Sequence, residues 1–455
     1  MNATSTRIRL SVAVDAALLA MVPLGLNILR LLDPNGSKIF GIALLLLLLF
    51  KNLLLMPGVS GAHQKRIYSE SISRRLDPRI MLPLVLMLIL ISIAVWRALG
   101  FFYTFSNVFS NVALLVFGLI GAATAYLNAD NDEERWLLLK AAPIGIFLLV
   151  VANIVGFAVG FRSAPVLGEE RLNQTLSLVG VTAGRVLFPL TVGTNAFGSV
   201  CALGVISSFL LWDRRSVAAC LFAVLTAGVC FLALVAVDSR AAMAAIVAAG
   251  FWLFLVRRVS VLRYLPLGLV VIGPFVPFLL AALFRAINDN GLLSGLVRAG
   301  SQGAKLGVGT GRQFIWTAAQ QQIANAEPLH LIGFGAYGPA QSKFSASYAW
   351  IFNELGQTAT SVHNTMLQNF FDMGYVGVAV WVWCLFAVVS RALKLSKLSR
   401  DRGFLSVVVA TLGFLLLQMQ TEVVVTIYGA EIIFFFVVLA VSISAFASAK
   451  LRPGE

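Results

Sequence analysis

The sequence predicts an all-α polytopic membrane protein, and three observations carry that prediction. Hydrophobic residues make up 59% of the 455-residue chain and charged residues only 12%, against about 25% charged in a soluble domain. Mean hydropathy is +0.90. The apolar residues gather into runs near the roughly 20 residues that a transmembrane helix needs. A chain this apolar cannot cover its own surface with polar groups in water. A soluble enzyme, a disordered chain and a secreted disulfide scaffold are therefore excluded.

About twelve such runs are legible. They lie near 11–31, 39–57, 80–98, 108–127, 137–160, 194–212, 216–237, 240–256, 265–284, 364–390, 403–420 and 429–449. Arg7 and Arg9 precede the first run, which is long enough to stay as a span instead of being cleaved as a signal peptide. Alternate connectors are basic: Lys65, Arg66, Arg74, Arg75 and Arg79; Arg214 and Arg215; Arg257, Arg258 and Arg263; Arg391, Lys394, Lys397, Arg400 and Arg402; Lys450 and Arg452. The positive-inside rule puts these connectors and both termini in the cytoplasm. The formal net charge of +14 is thus explained as a topology signal, and nucleic acid is not an expected partner. Cys201, Cys220, Cys230 and Cys384 fall inside apolar runs without metal-ligand spacing, which predicts buried free thiols.

On the opposite face most connectors are short. Two are not, 161–193 and 285–362, and the second is a large extracytoplasmic loop between spans 9 and 10. Loops that long inside a compact protein are usually functional, so the chemistry is expected there, at the membrane surface.

Three basic residues on that face precede or open helical patterns. Arg240 follows Asp238-Ser239 at the start of the eighth span. Arg312 ends Gly307-Val308-Gly309-Thr310-Gly311 and opens a helical stretch that Thr310 or Gly311 would cap. His363 stands just before the tenth span. A helix N-terminus carries about half a positive charge, so a cation there is misplaced unless an anion binds beside it. The arginine fork matches phosphate oxygens, and the same helix end favours a neutral imidazole able to accept a proton. The pattern suggests a diphosphate held by Arg240 and Arg312 with His363 as a base. Plainer roles remain open on position alone: Arg240 snorkelling toward headgroups, Arg312 as a solvated charge, His363 as an interfacial histidine. Arg185, in the other long outer loop, is a fourth candidate.

Other polar groups expected within spans are Asp15, Lys51, Asn153, Asp372, Glu422 and Glu431. Lys51 is expected to snorkel toward the cytoplasm. Asp372 is the most suggestive, but nine residues from His363 it is half a turn out of phase for a direct pair in a straight helix. Asp130-Asn131-Asp132 has the DxD form of a metal site, yet it falls in a short cytoplasmic connector and reads as a solvated loop. The first outer connector offers only Asp33. That connector holds no acidic pair, which favours metal-independent chemistry without a cofactor.

At His363 a specific pattern appears. His363-Asn364, nine residues, Gly374, two residues and Gly377 fit H-[NSQ]-x9-G-x-x-[GTV]. This resembles the O-antigen ligase and O-antigen polymerase superfamily of bacterial envelope glycosyltransferases. Ser239-Arg240, Gly311-Arg312 with Trp316, Gly333-Phe334-Gly335, and Gly184-Arg185 with Thr194-Asn195-Ala196 are similar in kind and order. The resemblance implies a GT-C-like helical fold in the bacterial inner membrane with its active site facing the periplasm. It divides the chain into N-terminal transmembrane helices and an outer loop (1–183), a ligase-like catalytic region (184–390) and two C-terminal helices (391–455). It implies an undecaprenyl-diphosphate-linked glycan as donor and a glycan or lipid A–core as acceptor. Membrane lipid and a chain-length regulator would be further partners. His363, Arg240 and Arg312 would be catalytic, and Arg185, Asn364 and Gly311 would contact substrate. The motifs do not separate polymerase from ligase. The competing class is a twelve-span transporter or flippase of lipid-linked glycan, which would place its charges around a central cavity at the bilayer midplane.

Overall fold

Lipid offers backbone groups no hydrogen-bond partners, so a chain crossing it without a closed barrel must be helical. A computed structural model describes residues 8–31, 38–54, 75–101, 103–162, 173–177, 180–191, 193–256, 258–290, 311–325, 328–354, 361–398 and 402–451. Among them every regular element is a helix, and an isolated bridge joins Leu99 to Tyr103. Arg7, Asp33, most of the basic 58–79 connector and Gly307 to Thr310 lie outside the described residues.

In chain order the main helices are α1 (Leu10–Gly25), α2 (Ile39–Leu54), α3 (Pro78–Arg97), α4 (Phe105–Asn128), α5 (Asp132–Ala158) and α6 (Thr194–Ser207). Next come α7 (Val217–Val237), α8 (Arg240–Val256) and α9 (Ser260–Asp289). The last four are α10 (Arg312–Ala324), α11 (Thr365–Leu398), α12 (Arg402–Gln418) and α13 (Ala430–Lys450). Nine of the described helices are long and apolar enough to cross a membrane. Three expected spans form shorter apolar helices, Ile39–Leu53, Arg240–Val256 and Ser406–Gln418. α9 continues as helix to Asp289, a few residues past the approximate span end at 284. That helix is broken at Gly273–Phe275, where Pro274 removes one donor and crowds the preceding turn.

A helix that is apolar all round has no face for water and is buried. α13 is that helix: every residue from Ile432 to Ser448 is buried, against α3, α4, α5 and α11. Beyond the bundle a second core gathers α9, α10 and the 344–351 helical turns around Trp316, Phe344, Tyr348 and Phe371.

The polar contacts sort into two opposite ends. At one, Arg9 pairs with Asp130 (2.7 Å) and with buried Glu134 (2.8 Å), Arg391 with Asp77 (2.9 Å), and Lys450 with Asp132 (3.2 Å). Asp130-Asn131-Asp132 is solvated as expected, Asp130 being exposed, but its acids are not unpaired. Its acids bind basic residues from α1 and α13, and Asn131 caps α5 by accepting from the Glu134 N–H. Lys51 also departs from expectation. It turns inward to buried Asp15 at 2.5 Å, because an unpaired carboxylate there would cost more than the lysine's lost hydration. Cys201, Cys220, Cys230 and Cys384 are free thiols; all but the half-buried Cys220 are buried.

Candidate active site

The opposite end holds the candidate site. α11 begins at Thr365, two residues after His363. Asn364 caps it: its side-chain oxygen accepts from the Leu367 N–H (2.9 Å), and its amide donates to the Gln420 carbonyl (3.0 Å). Thr365 donates its hydroxyl to the Glu422 carbonyl (2.9 Å) and accepts from the Val424 N–H (3.0 Å), while its own N–H reaches the Met419 carbonyl (2.9 Å). The cap of α11 thereby pins the α12–α13 connector beneath His363. His363 itself has φ 49°, the left-handed region, with its N–H on the Ser361 hydroxyl at 3.1 Å. A side chain in that region is uncommon and clusters at functional sites.

Arg312 is the first residue of α10, and Gly311 precedes it with φ 82°, a conformation that glycine adopts without a Cβ penalty. Trp316, fully buried, lies one turn on. Its indole N–H donates to the Val362 carbonyl (2.9 Å) and its ring stacks near Phe284 of α9. That contact locks α10 to the residue before His363. Arg312 and His363 then meet on one carboxylate. Glu422 accepts from Arg312 Nη2 through Oε1, and its Oε2 lies 3.4 Å from His363 Nδ1. The side chains of Arg312, Glu422 and His363 are 16%, 8% and 25% exposed, so the cluster is sheltered but open on the imidazole side. Burial pushes the Glu422 carboxyl up. The charges of Arg312 and His363 and their hydrogen bonds outweigh that, and the group ends below the ordinary carboxylate value. An ionised carboxylate can only accept. In the contact with Glu422, His363 Nδ1 is therefore the donor.

Behind His363 the second half of the motif has a mechanical meaning. α11 is kinked at Gly374 (φ 69°, ψ −166°). The kink frees carbonyls, and the 333–335 loop takes them: Phe334 N–H donates to Phe371 (2.7 Å) and Gly335 N–H to Asp372 (2.9 Å). The Asp372 side chain does not meet His363. It accepts from Gly338 N–H (2.8 Å), Gln368 (3.0 Å) and the Tyr428 hydroxyl (2.7 Å), joining the loop, α11 and the α12–α13 connector. Gln368 in turn accepts from the Val362 N–H at 3.3 Å. The network ends on the residue next to His363.

Arg240 is the first residue of α8. Arg185 donates to the Val237 carbonyl (3.0 Å) and the Asp238 carbonyl (3.5 Å), beside Arg240. This second arginine pair connects to the first through packing. Gly198 of α6 lies against Ser239, Ser199 accepts from Gln418 (2.8 Å), and the next connector residues are those that Asn364 and Thr365 hold. The structure thus joins Arg312 and His363 through Glu422, and it sets the loop residue Arg185 against the backbone just before Arg240, the first residue of α8. Gly311 and Asn364 serve the backbone as the entrance and the cap of α10 and α11.

Glu422 is the residue that sequence reading misplaced. It was expected inside a span, and it lies in the connector between α12 and α13. The signal was present in Gln418, Gln420, Thr421 and Glu422, a polar run at the end of α12 that shortens that span. Among the described residues no group of three or more His, Cys, Asp or Glu could hold a metal ion.

The family model described as O-antigen ligase matches residues 225–382, which include Arg240, Arg312, His363 and Gly374. No curated protein matches the chain.

Proposed function

We propose, from the chain's place in the O-antigen ligase and polymerase superfamily over residues 225–382, a specific form of its membrane glycan-transfer activity. The donor is a glycan on undecaprenyl diphosphate, the acceptor a second lipid-linked glycan or lipid A–core, and the reaction runs at the periplasmic face of the inner membrane without a metal. The observation that carries this reading is the convergence of Arg312 and His363 on Glu422, at the end opposite the basic ion pairs.

In this reading the acceptor hydroxyl gives its proton to His363 Nε2. The acceptor oxygen bonds to the anomeric carbon. The bond from that carbon to the diphosphate oxygen breaks, and its electron pair leaves with the diphosphate. Arg312 and Arg240, each at a helix N-terminus, meet the charge that develops there. The strained turn at His363 and the Asn364 cap hold the base while the bond forms.

The test is a gel of surface and lipid-linked glycans from a deletion strain complemented with wild type or His363→Ala. Wild type is expected to restore the glycan and His363→Ala to fail at normal protein abundance. A single repeat on lipid A–core in the deletion strain marks a polymerase, and long chains kept on the lipid carrier mark a ligase. Lipid-linked repeats trapped on the cytoplasmic side would replace the reading with a flippase, and full transfer by His363→Ala would remove the base.

A further inference from the structure

The Glu422 carboxylate that bridges Arg312 and His363 touches neither sugar nor diphosphate in the transfer chemistry above. The inference drawn from it rests on that chemistry. An arginine fork recognises carboxylate and phosphate in the same geometry. Glu422 Oε1 therefore holds the position on Arg312 Nη2 that a phosphate oxygen would take. The two cannot share it. A diphosphate brings more charge to the guanidinium than one carboxylate, so it has the means to displace Glu422.

Where the displaced carboxylate goes is set by its backbone. The Glu422 N–H is bonded to the Gln418 carbonyl (2.9 Å) and its own carbonyl is held by Thr365 (2.9 Å). Thr365 is two residues from His363 and sits in the same pinned turn. The side chain is nine-tenths buried, so withdrawal into water is closed to it. The near neighbour that remains is His363 Nδ1, already at 3.4 Å from Oε2.

We propose that Glu422 is an exchangeable counter-ion: it neutralises Arg312 while the site is empty, and when a donor diphosphate takes Arg312 its carboxylate passes wholly to His363. Donor binding then arms the base. The Nδ1–H is oriented by a full carboxylate and the imidazolium formed on proton transfer is stabilised. Without donor the carboxylate is divided and the base is weaker, so an acceptor hydroxyl or water meeting the empty site is not activated. Glu422 acts here as a positioning residue, through His363 and Arg312, and not on the sugar.

The experiment uses the full chain in detergent or nanodiscs, as wild type, Glu422→Gln and Glu422→Asp. Inorganic pyrophosphate is the binding probe, and transfer from a lipid-linked donor is followed against pH. Removing the internal competitor is expected to tighten pyrophosphate binding in Glu422→Gln. Its kcat is expected to fall by about 10–100-fold, less than the roughly 100–10,000-fold that a general base contributes in full, with the donor KM unchanged or lower. The acid limb of kcat should move to lower pH, and Glu422→Asp should recover part of the rate. If Glu422 only braces Arg312, pyrophosphate binds the glutamine variant more weakly, KM rises and the acid limb stays in place; that pattern overturns the proposal. If Glu422→Gln does not accumulate, Glu422→Asp reads the same exchange. Its shorter arm should loosen the hold on Arg312 and tighten pyrophosphate binding, and equal or weaker binding counts against the exchange. Transfer that survives in His363→Ala overturns the base reading itself, and that outcome is separate from any result at Glu422.

Discussion

Gly333 and Gly374 approach so closely that a Cβ on Gly333 would lie 2.5 Å from the Gly374 backbone nitrogen. Both have positive φ, 67° and 69°. The contact seats the 333–335 loop on the kink of α11.

Alanine at Gly374 is therefore expected to be structural in its effect. Left-handed backbone costs a non-glycine residue about 1–3 kcal/mol, and the absence of space for a Cβ adds to that. Gly374→Ala should lower the thermal midpoint of the purified protein and its abundance in membranes. An unchanged midpoint with lost transfer would mean that the glycine serves the chemistry instead.

At Arg312 the expected loss is chemical. Arg312→Lys keeps the charge but not the planar fork, and should stay close to Arg312→Ala in transfer assays. Protein abundance is the control. Lysine activity near wild type would show that charge alone suffices at this position.

Glu422 makes stability depend on pH with a definite sign. Its carboxyl is held below the ordinary value of 4.5, so it stabilises the fold while ionised. That contribution is whole above about pH 4.5 and is lost as the pH falls below it toward the folded value. Thermal unfolding of wild type across the acid range should show this loss, and Glu422→Gln should show less of it. Equal acid sensitivity in the two proteins would place the titration elsewhere.

Tyr428 offers a test of the buried network. Tyr428→Phe removes the donor to Asp372 and the acceptor for the Tyr337 N–H, 2.7 and 2.6 Å away. Leaving such groups unsatisfied costs about 1–3 kcal/mol each. A lower melting temperature is expected, with transfer reduced less than in His363→Ala. Chemical denaturation and a parallel glycan assay separate the two effects.

Far from the site, the buried Asp15–Lys51 pair predicts non-additivity. Lys51→Met alone strands a buried carboxylate and should cost about 3–5 kcal/mol, whereas Lys51→Met with Asp15→Leu should be much less harmful. A double-mutant cycle on thermal stability reads the coupling directly.

The sequence by itself determined the helical membrane class and which basic residues open or precede helices. These follow from composition and period, which are local properties of the chain. Arg240, Arg312 and His363 were legible because a cation at a helix N-terminus is locally anomalous. The role of Gly374 was legible only as a motif position, since its partner Gly333 lies in a different segment. Tertiary structure alone decided the rest. It drew Glu422 out of a span and onto both Arg312 and His363, sent Asp372 to Tyr428 instead of His363, and paired Lys51 and Asp130 with charges from distant helices. The physical reason is common to all of them. A buried charge takes whichever opposite group the packing brings within reach, and that choice depends on how helices far apart in sequence meet, which no window along the chain contains.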